Sequence, residues 1–462
     1  MENDISLESA AAAEAPRVRL KAPVIAGKPD KHIWGIYIFL CLISTIELYS
    51  ASSREVSAAA QFGVLGPVVR HIIFLLIGLG IMLFMQSRHY SEFRRFTYVF
   101  ALISVGMMLY VNFFGDVING ARRSMTLFGF QIQPAEFIKL AAVTVVSLIM
   151  ARNQMAKGIG VTDRGIWASA IWVLIFGGLL ARQGLTNTVL LMAISLSMML
   201  IGGVAFRKMG VVLLAYAACG GIFVLYLGLS PSKDDKAQMK TELTVARADD
   251  GSYHTREVTV GDADGEKGGR LQTWINRLSR YGDDAVPKYK QKIDALNRQE
   301  MYSYFAQAHG GVTGVGPGNS REASRLPLAF SDFIYSIVVE EWGLVGGLVL
   351  LVLYLWLLAR ASSVASRCSR AYPALLVLGI AVMIVLQALA HMAITVGAAP
   401  VSGQPLPLIS KGGSSIIITS IAFGMMLSVS RHAVRHRSRK TEIKQEIEAL
   451  PEDLRAENPT QL

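Results

Sequence analysis

Charged residues are scarce in this chain. Only 17% of its 462 residues are Asp, Glu, Lys or Arg, whereas a soluble chain carries about 25%. Hydrophobic residues make up 52%, and the mean hydropathy is +0.41. Because the apolar residues come in separate runs, the composition argues against a large soluble helical protein and indicates a membrane protein.

Cysteine and several catalytic motifs are also rare or missing. The three cysteines are scattered, and none lies in the long polar stretch of residues 230–326, so neither a disulfide framework nor a zinc site is expected. The sequence lacks a Walker loop, an HExxH metal motif and a GxSxG elbow, which leaves ATP-driven transport and serine hydrolysis without support. The first 30 residues lack the apolar core of a signal peptide, so the first spanning helix is expected to serve as an uncleaved insertion signal.

About ten apolar runs are long enough to cross a membrane as helices, which takes roughly 20 residues each. The sequence therefore predicts an all-α polytopic membrane protein of about ten transmembrane helices. The predicted spans lie near residues 33–51, 68–86, 96–113, 134–152, 166–182, 186–205, 209–229, 343–361, 373–398 and 412–430.

Lys and Arg predict the orientation of these helices. They cluster in short flanks at alternate connections, so the net charge of +11 reflects topology and not a nucleic-acid surface. By the positive-inside rule these flanks face the cytoplasm. We therefore expect a cytoplasmic tail at 1–32, seven helices in 33–229, an extracytoplasmic loop at 230–326, three helices in 327–431 and a cytoplasmic tail at 432–462.

The long loop has two parts. Over residues 241–260, alternating polar and apolar runs flank an Asp-Asp-Gly-Ser turn and predict a β-hairpin, either for partner docking or purely structural. Further on, the segments LQTWINRLSRY and QEMYSYFAQAH are amphipathic. They predict short helices lying at the membrane surface.

Several polar residues stand where membrane helices normally avoid them, and the predicted topology places all of them in the outer half of the bilayer. Each alone has a structural explanation, such as a buried ion pair for Glu136 and Lys139, which share a helix face at i, i+3. Together they predict an outward-opening cavity of mixed charge. The set is Arg70, Glu136, Lys139, Asp332, Glu340, Glu341, His391 and residues 410–414.

A cavity of this kind suits a lipid with an anionic headgroup. Lys139, Arg70 and the pair Arg122-Arg123 are expected to hold phosphates as point charges or planar forks. A carboxylate from the loop is then expected to act as a general base on a hydroxyl nucleophile.

Five stretches resemble the SEDS family (shape, elongation, division and sporulation), whose members include FtsW and RodA. Their order and spacing and the ten-helix frame fit, so the resemblance covers nearly the whole chain. The extended tails and the wording GPGNS are nearer to the FtsW branch than to the RodA branch. The stretches are NGARRSM (119–125), QPAEFIKL (133–140), GVGPGNS (314–320), LPLAFSDFIYSIVVEEWG (326–343) and PLPLISKGGSS (405–415).

The resemblance implies an enzyme that polymerises peptidoglycan glycan strands from lipid II outside the bacterial inner membrane, at the division septum. Its implied partners are a class B penicillin-binding protein and other division-complex proteins, and no nucleic acid is expected. A loop aspartate would deprotonate the 4-hydroxyl of the acceptor sugar, which would displace undecaprenyl pyrophosphate from the donor. No cofactor is evident, and a divalent cation is left open.

The resemblance also implies roles for single residues. Glu136 would orient Lys139, which would stabilise the charge of the leaving pyrophosphate. The other cations assigned to that task are Arg70 and Arg122 or Arg123. The positions expected to be structural or to position the substrate are Asp332, Glu340 and Ser410.

The catalytic aspartate stays ambiguous because the loop departs from the family pattern N-P-x-x-D-P followed by Tyr-Gln. Counting forward from Asn276 points to Asp283 or Asp284. Counting back from Gln299 points to Asp294. All three aspartates therefore remain candidates.

Two further departures concern the predicted pocket. The family element Q-P-D-x-G-T appears as QGLTNT at residues 183–188, without its aspartate, so we assign it no role. Lys411 stands where an aromatic residue is common, and His391 where Asn is common. Both are expected to alter the pocket.

Three rival functions remain on sequence grounds. A lipid II flippase would need polar groups across the whole membrane, and their clustering in the outer half counts against it. A scaffold that only recruits the transpeptidase would not need the loop acids. A RodA-type polymerase of cell elongation would share the chemistry and differ in its partners.

Overall fold

The structure is a computed structural model that describes residues 27–55, 65–118, 121–127, 130–155, 160–229, 241–247, 253–259, 293, 297–326 and 329–433. These residues are mainly helical. In chain order the helices are α1 (Lys31–Glu55), α2 (Leu65–Ser87), α3 (Tyr90–Phe114), α4 (Pro134–Arg152), α5 (Asp163–Ala181), α6 (Leu185–Ile201), α7 (Phe206–Leu229), α8 (Arg298–Gly310), α9 (Ile334–Ala365), α10 (Ala371–Thr395) and α11 (Gly413–Ala433).

Nine of the described helices are long and apolar enough to cross a membrane, and α6 is a shorter apolar helix of 17 residues. The prediction of about ten spans is therefore confirmed. In the membrane-spanning stretch of α4, 89% of the residues are buried, so this helix lies at the centre of the bundle. In that of α7 only 11% are buried, so α7 is peripheral. An apolar helix that is buried on all sides must pair its few charges within the protein.

The bundle of helices has two distinct ends. At the terminal end, where α1 begins and α11 ends, the Gly27 amide donates to the Arg431 carbonyl at 3.0 Å. Asp30 pairs there with Arg360. Burial alone would raise the pKa of Asp30, but the Arg360 guanidinium and backbone amides hold it below its ordinary value. The loop end, opposite, bears α8 and the connections after α1, α3 and α10.

Two small sheets accompany the helices. Strands β1 (Asp116–Ile118), β2 (Ala121–Leu127) and β3 (Phe130–Ile132) form an antiparallel sheet in the order β1-β2-β3 between α3 and α4. This sheet was not predicted. Strands β4 (Thr241–Arg247) and β5 (Tyr253–Thr259) form the predicted hairpin, with Thr241 opposite Thr259.

The long loop is described only in part. The predicted helix in QEMYSYFAQAH is confirmed as α8, whereas the segment LQTWINRLSRY lies outside the described residues. After α8 the chain continues through residues 311–326, which include a 3-10 turn at Glu322–Ser324.

Helix α9 begins at Ile334, well before the predicted span of 343–361, and so contains Glu340 and Glu341. The prediction of its start was wrong because the helix is interrupted at Gly343, with φ 71° and ψ −173°, just where the apolar run begins. Such a positive φ favours glycine. The residues before the break form a buried helical segment of their own.

Residues 311–316 fill the break with backbone hydrogen bonds. The Val315 amide donates to the Glu340 carbonyl at 3.0 Å, and the Leu344 amide donates to the Gly311 carbonyl at 3.0 Å. The loop therefore satisfies the groups that the interrupted helix leaves unpaired. A Cβ atom at Gly314 would collide with the Glu341 carbonyl, so only glycine fits this approach.

Candidate functional site

The first charged group of the site is buried within α4. Lys139 Nζ donates to Glu136 Oε1 at 2.7 Å and to Gln387 Oε1, on α10, at 2.8 Å. Gln387 Nε2 in turn lies 3.4 Å from Glu136 Oε2. The Lys139 side chain is 0% exposed and that of Glu136 is 6% exposed. We call these three residues the Lys139 cluster; its charges are neutralised within the protein.

Residues 401–412 meet this cluster at Gln387, which donates to the Pro405 carbonyl. The segment has neither helix nor strand, yet it is largely buried between α10 and α11. Irregular backbone at membrane depth is tolerated where protein groups satisfy it. The side chains that do so are Gln387 Nε2 to the Pro405 carbonyl (3.1 Å), His391 Nδ1 to the Gln404 carbonyl (2.6 Å), Tyr354 hydroxyl to the Pro407 carbonyl (2.6 Å) and Ser44 hydroxyl to the Ile409 carbonyl (3.1 Å).

Ser410 holds this segment in its turn. Its hydroxyl accepts from the Leu406 amide at 2.7 Å and donates to the Ser331 carbonyl, just before α9, at 2.6 Å. Leu408, within the same turn, has a φ of 66°, which is unusual for a residue other than glycine. The geometry therefore gives Ser410 a structural task.

Arg123 and Asp332 meet beside this segment at the loop end. A Cβ at Gly403 would lie 3.2 Å from Asp332 Oδ2 and 3.3 Å from Arg123 Nη1, so both side chains border the same small space. Arg123 Nε also donates to the Gln183 carbonyl at 3.3 Å. Burial raises the pKa of Asp332, and a hydrogen bond from Ser331 and the Arg123 charge only partly offset this.

Glu340 anchors the GPGNS loop to α9. The carboxyl group is fully buried and accepts from the Arg321 amide at 2.9 Å and from the Ser320 hydroxyl. His309 Nδ1 on α8 lies 3.0 Å from it. These contacts join α8, the loop and α9.

A second acidic pair lies beside Glu340. Glu47 on α1 accepts from Trp342 Nε1 at 2.6 Å, and Glu341 accepts from the Ser50 hydroxyl. Glu47 is 0% exposed and Glu341 is 1% exposed. Each keeps one buried oxygen without a hydrogen-bond partner. Among the described residues, no Lys, Arg or His side chain forms an ion pair with either carboxyl group.

The other predicted residues are not gathered at the Lys139 cluster. Arg70 is exposed on α2, with its guanidinium 6.0 Å from the centre of the Phe74 ring. The side chain of Arg122 and the whole of Asp283, Asp284 and Asp294 lie outside the described residues. Their roles stay predictions.

At the position of the expected outward-opening cavity, the Lys139 side chain is fully buried and its ammonium group bonds to Glu136 and Gln387. Two cavities, of about 410 and 180 Å³, instead lie at the terminal end. Within the part of the chain that the structure describes, no group of three or more His, Cys, Asp or Glu side chains is placed to hold a metal ion.

Sequence reasoning missed three polar residues of the site. Gln387 belongs to the Lys139 cluster, and Gln404 Nε2 donates to Asn187 Oδ1 at 2.8 Å. The signal for Gln387 was its position four residues before His391, which puts both on one face of α10. Asn187 belongs to the QGLTNT segment, which thus joins the site despite its missing aspartate.

Comparison with known proteins places the chain among bacterial cell-wall proteins. The family model for FtsW, RodA and SpoVE, described as cell cycle protein, matches residues 30–256 and 274–435. A relative from Enterococcus hirae, "Probable peptidoglycan glycosyltransferase FtsW", is 25% identical over 425 residues, covering 90% of this chain and 95% of the relative. "Peptidoglycan glycosyltransferase MrdB" of Escherichia coli (strain K12) is 26% identical over 407 residues, covering 86% and 92%.

A solved structure shares the fold. One chain of a peptidoglycan synthase complex, described as coordinating polymerization and crosslinking, has a TM-score of 0.61 and 22% sequence identity. The match covers 89% of this chain and 98% of that chain. The helical frame described above is therefore a known one.

Proposed function

We propose that this chain is a peptidoglycan glycosyltransferase that polymerises lipid II. The premise is that the chain belongs to the FtsW/RodA/SpoVE family of cell cycle proteins. Relatives that carry this activity in their names match most of the chain. The observation that carries the proposal is a juxtaposition at the loop end. Arg123, Asp332 and the buried Lys139 cluster lie where the long loop returns to the bundle through α8 and residues 311–326.

In the proposed reaction a loop aspartate, Asp283, Asp284 or Asp294, takes the proton of the acceptor's 4-hydroxyl group. The resulting oxygen forms a bond with the anomeric carbon of the donor. The bond from that carbon to the pyrophosphate oxygen breaks, and undecaprenyl pyrophosphate leaves with the electron pair. Positive side chains stabilise the charge that develops on the leaving group.

The cations differ in how accessible their side chains are to a pyrophosphate. Arg123 is half-buried and Arg70 is exposed, so both are accessible to a pyrophosphate at the loop end, and Arg122 is the third candidate there. Lys139 is fully buried and bonded to Glu136 and Gln387, so its ammonium group is not accessible to a phosphate in this structure. Lys139 instead donates to Gln387, and Gln387 donates to the Pro405 carbonyl. Lys139 thereby helps to position the segment that borders the site.

We also propose which side of the membrane the site faces and which protein is its partner. The loop end faces out of the bacterial inner membrane and both termini face the cytoplasm, in keeping with the many Lys and Arg residues at the terminal end. A class B penicillin-binding protein is the proposed partner, supported by the likeness to a chain of a synthase complex that polymerises and crosslinks. The FtsW names among the relatives support a place at the division septum.

The test uses the full-length protein with its partner transpeptidase and labelled lipid II. We expect glycan polymer from the wild type and none from the triple variant Asp283→Ala/Asp284→Ala/Asp294→Ala. The matched control is Asp249→Ala/Asp250→Ala/Asp262→Ala, which removes three aspartates of the same loop in and near the hairpin. Polymer from the first variant at the control's rate contradicts the mechanism. Single variants then identify the base.

A further inference from the structure

Three arginines line a small cavity at the terminal end, far from the proposed active site. Arg94 belongs to the first turns of α3, Arg152 ends α4, and Arg370 is the N-cap residue of α10. The cavity has a volume of about 180 Å³. Its wall also includes Tyr372, which is only 6% exposed and whose buried hydroxyl lies beside Arg94.

The positive charge of this cavity is not neutralised by described carboxylates. The ion pairs of the described residues involve other cations, and none includes these three arginines. Arg152 lies 5.9 Å from the centre of the Tyr98 ring, a contact that leaves its charge in place. The amino end of α10 adds its unpaired amides and the positive end of its dipole, because Arg370 makes no side-chain cap.

A second, largely apolar cavity adjoins the first. Its volume is about 410 Å³, and Ala371 lines both cavities. Ala374, Leu375 and Leu378 of α10 face it, together with Ala365 of α9 and Ile201 at the end of α6. A cationic cavity thus lies against an apolar one at the level where five helices, α3, α4, α6, α9 and α10, begin or end.

We propose that the two cavities bind one anionic phospholipid, with its phosphate on the three arginines and the upper part of an acyl chain in the apolar cavity. Helix ends lie at the depth of lipid headgroups, and cationic pockets between helices suit acidic headgroups. The planar guanidinium fork matches phosphate oxygens in a bidentate manner. The inference does not depend on the proposed glycosyltransferase activity, because the site lies at the other end of the bundle.

The test measures lipid binding by the detergent-solubilised full-length protein. Short-chain phosphatidylglycerol is titrated and the lipid-bound fraction is read by native mass spectrometry. Each arginine at an anionic lipid contributes about fivefold in affinity. We therefore expect Arg94→Ala/Arg152→Ala/Arg370→Ala to weaken binding about a hundredfold. All six arginines compared are exposed. The control, Arg95→Ala/Arg164→Ala/Arg207→Ala, removes the same charge from arginines of the same end that do not line the cavity, and it is expected to change binding less than about threefold.

Further measurements decide between occupants. Phosphatidylcholine of the same chain length is expected to bind the wild type at least about tenfold more weakly, and Arg370→Lys, which keeps the charge, to retain most phosphatidylglycerol binding. Both comparisons hold even where the triple variant fails to fold. Equal binding of the two lipids overturns the proposal. Displacement of the lipid by millimolar inorganic phosphate also overturns the proposal, because the site would then bind free phosphate. A tenfold gain in lipid binding on deletion of residues 434–462 overturns it as well, because the acidic tail would then be the occupant.

Discussion

Two groups of buried acids lie near the loop end, and they are held in opposite ways. Glu136 is neutralised by Lys139, with Gln387 bonded to both. Glu47 and Glu341 have no cation among their described partners and are held by an indole and a hydroxyl group. The first group depends on the balance of two charges, whereas the second depends on neutral donors.

The two groups also differ in what they hold. The Lys139 cluster holds residues 401–412 through side chains, because Gln387 reaches the Pro405 carbonyl. The acids of α9 lie at a helix break whose partner loop forms backbone hydrogen bonds across it, such as Val315 to Glu340 and Leu344 to Gly311. Gly314 and Gly343 leave room for this close approach. Substitutions that remove charge should therefore damage the first region, and substitutions that add a side chain should damage the second.

The largest effect is expected from Glu136→Gln, which leaves the Lys139 ammonium buried without a counter-charge. Removing one partner of a buried ion pair costs about 3–5 kcal/mol. The midpoint of thermal unfolding in detergent should fall accordingly. Glu136→Gln/Lys139→Met removes both charges and should regain most of that loss, since replacing a whole buried pair is often nearly neutral. A double variant no more stable than the single one would show that the pair is not held by charge balance.

Gly343→Ala should have the next largest effect. A side chain at φ 71° is strained, and the new Cβ would overlap the Val312 carbonyl. Strain and overpacking together should cost about 3 kcal/mol of the free energy of unfolding, measured by chemical denaturation in detergent. Gly80→Ala is the control, because a Cβ there meets nothing within 4 Å and should leave stability unchanged or slightly raised. Equal stability of the two variants would contradict the role given to the break.

A smaller loss is expected from Ser410→Ala, which removes one hydroxyl from the segment that Gln387 of the Lys139 cluster holds. The Leu406 amide would lose its acceptor and the Ser331 carbonyl its donor, at a cost of about 2 kcal/mol. Ser197→Ala serves as the control, since that hydroxyl bonds only to the Ala193 carbonyl of its own helix. Unfolding midpoints of the two variants, compared in one detergent, test whether the segment needs this hydroxyl.

The smallest effect is expected from Glu47→Gln, although its chemistry is that of Glu136→Gln. The amide oxygen can still accept from Trp342, and the repulsion with Glu341 disappears. The free energy of unfolding should fall by no more than about 1 kcal/mol, or rise, and the midpoint of thermal unfolding should change accordingly. A loss as large as that of Glu136→Gln would mean that an unseen cation neutralises the pair.

Sequence reasoning located elements that are marked locally. Helix α4 was predicted at its observed bounds because Pro134 opens it and the apolar run ends at Arg152. The hairpin of β4 and β5 followed from strict alternation. The sheet of β1–β3 was missed because two of its strands have only 3 residues each and its sequence does not alternate.

The site was harder to predict because its partners come from distant parts of the chain. The i, i+3 spacing of Glu136 and Lys139 showed that they could pair, but nothing local showed that Gln387, 248 residues from Lys139, completes the cluster. Nor could the sequence show that residues 401–412 meet the cluster at Gln387, since that depends on how α10 and α11 pack. The start of α9 was misplaced because the apolar run begins only at the Gly343 break. The helical segment before the break carries Glu340, whose carboxyl group is satisfied by a loop about twenty residues away.

The shortness of α6 has a consequence for the surrounding bilayer. At 17 residues and 1.5 Å per residue it is about 26 Å long, a few ångströms less than the roughly 30 Å hydrocarbon thickness. Leu185, Val189 and Leu200 are exposed along its length, so lipid tails contact this helix directly. Because a short span is matched by local thinning of the bilayer, the membrane should be thinnest on this flank of the bundle. We therefore expect the packing of α6 against its neighbouring helices to change with the thickness of the surrounding membrane.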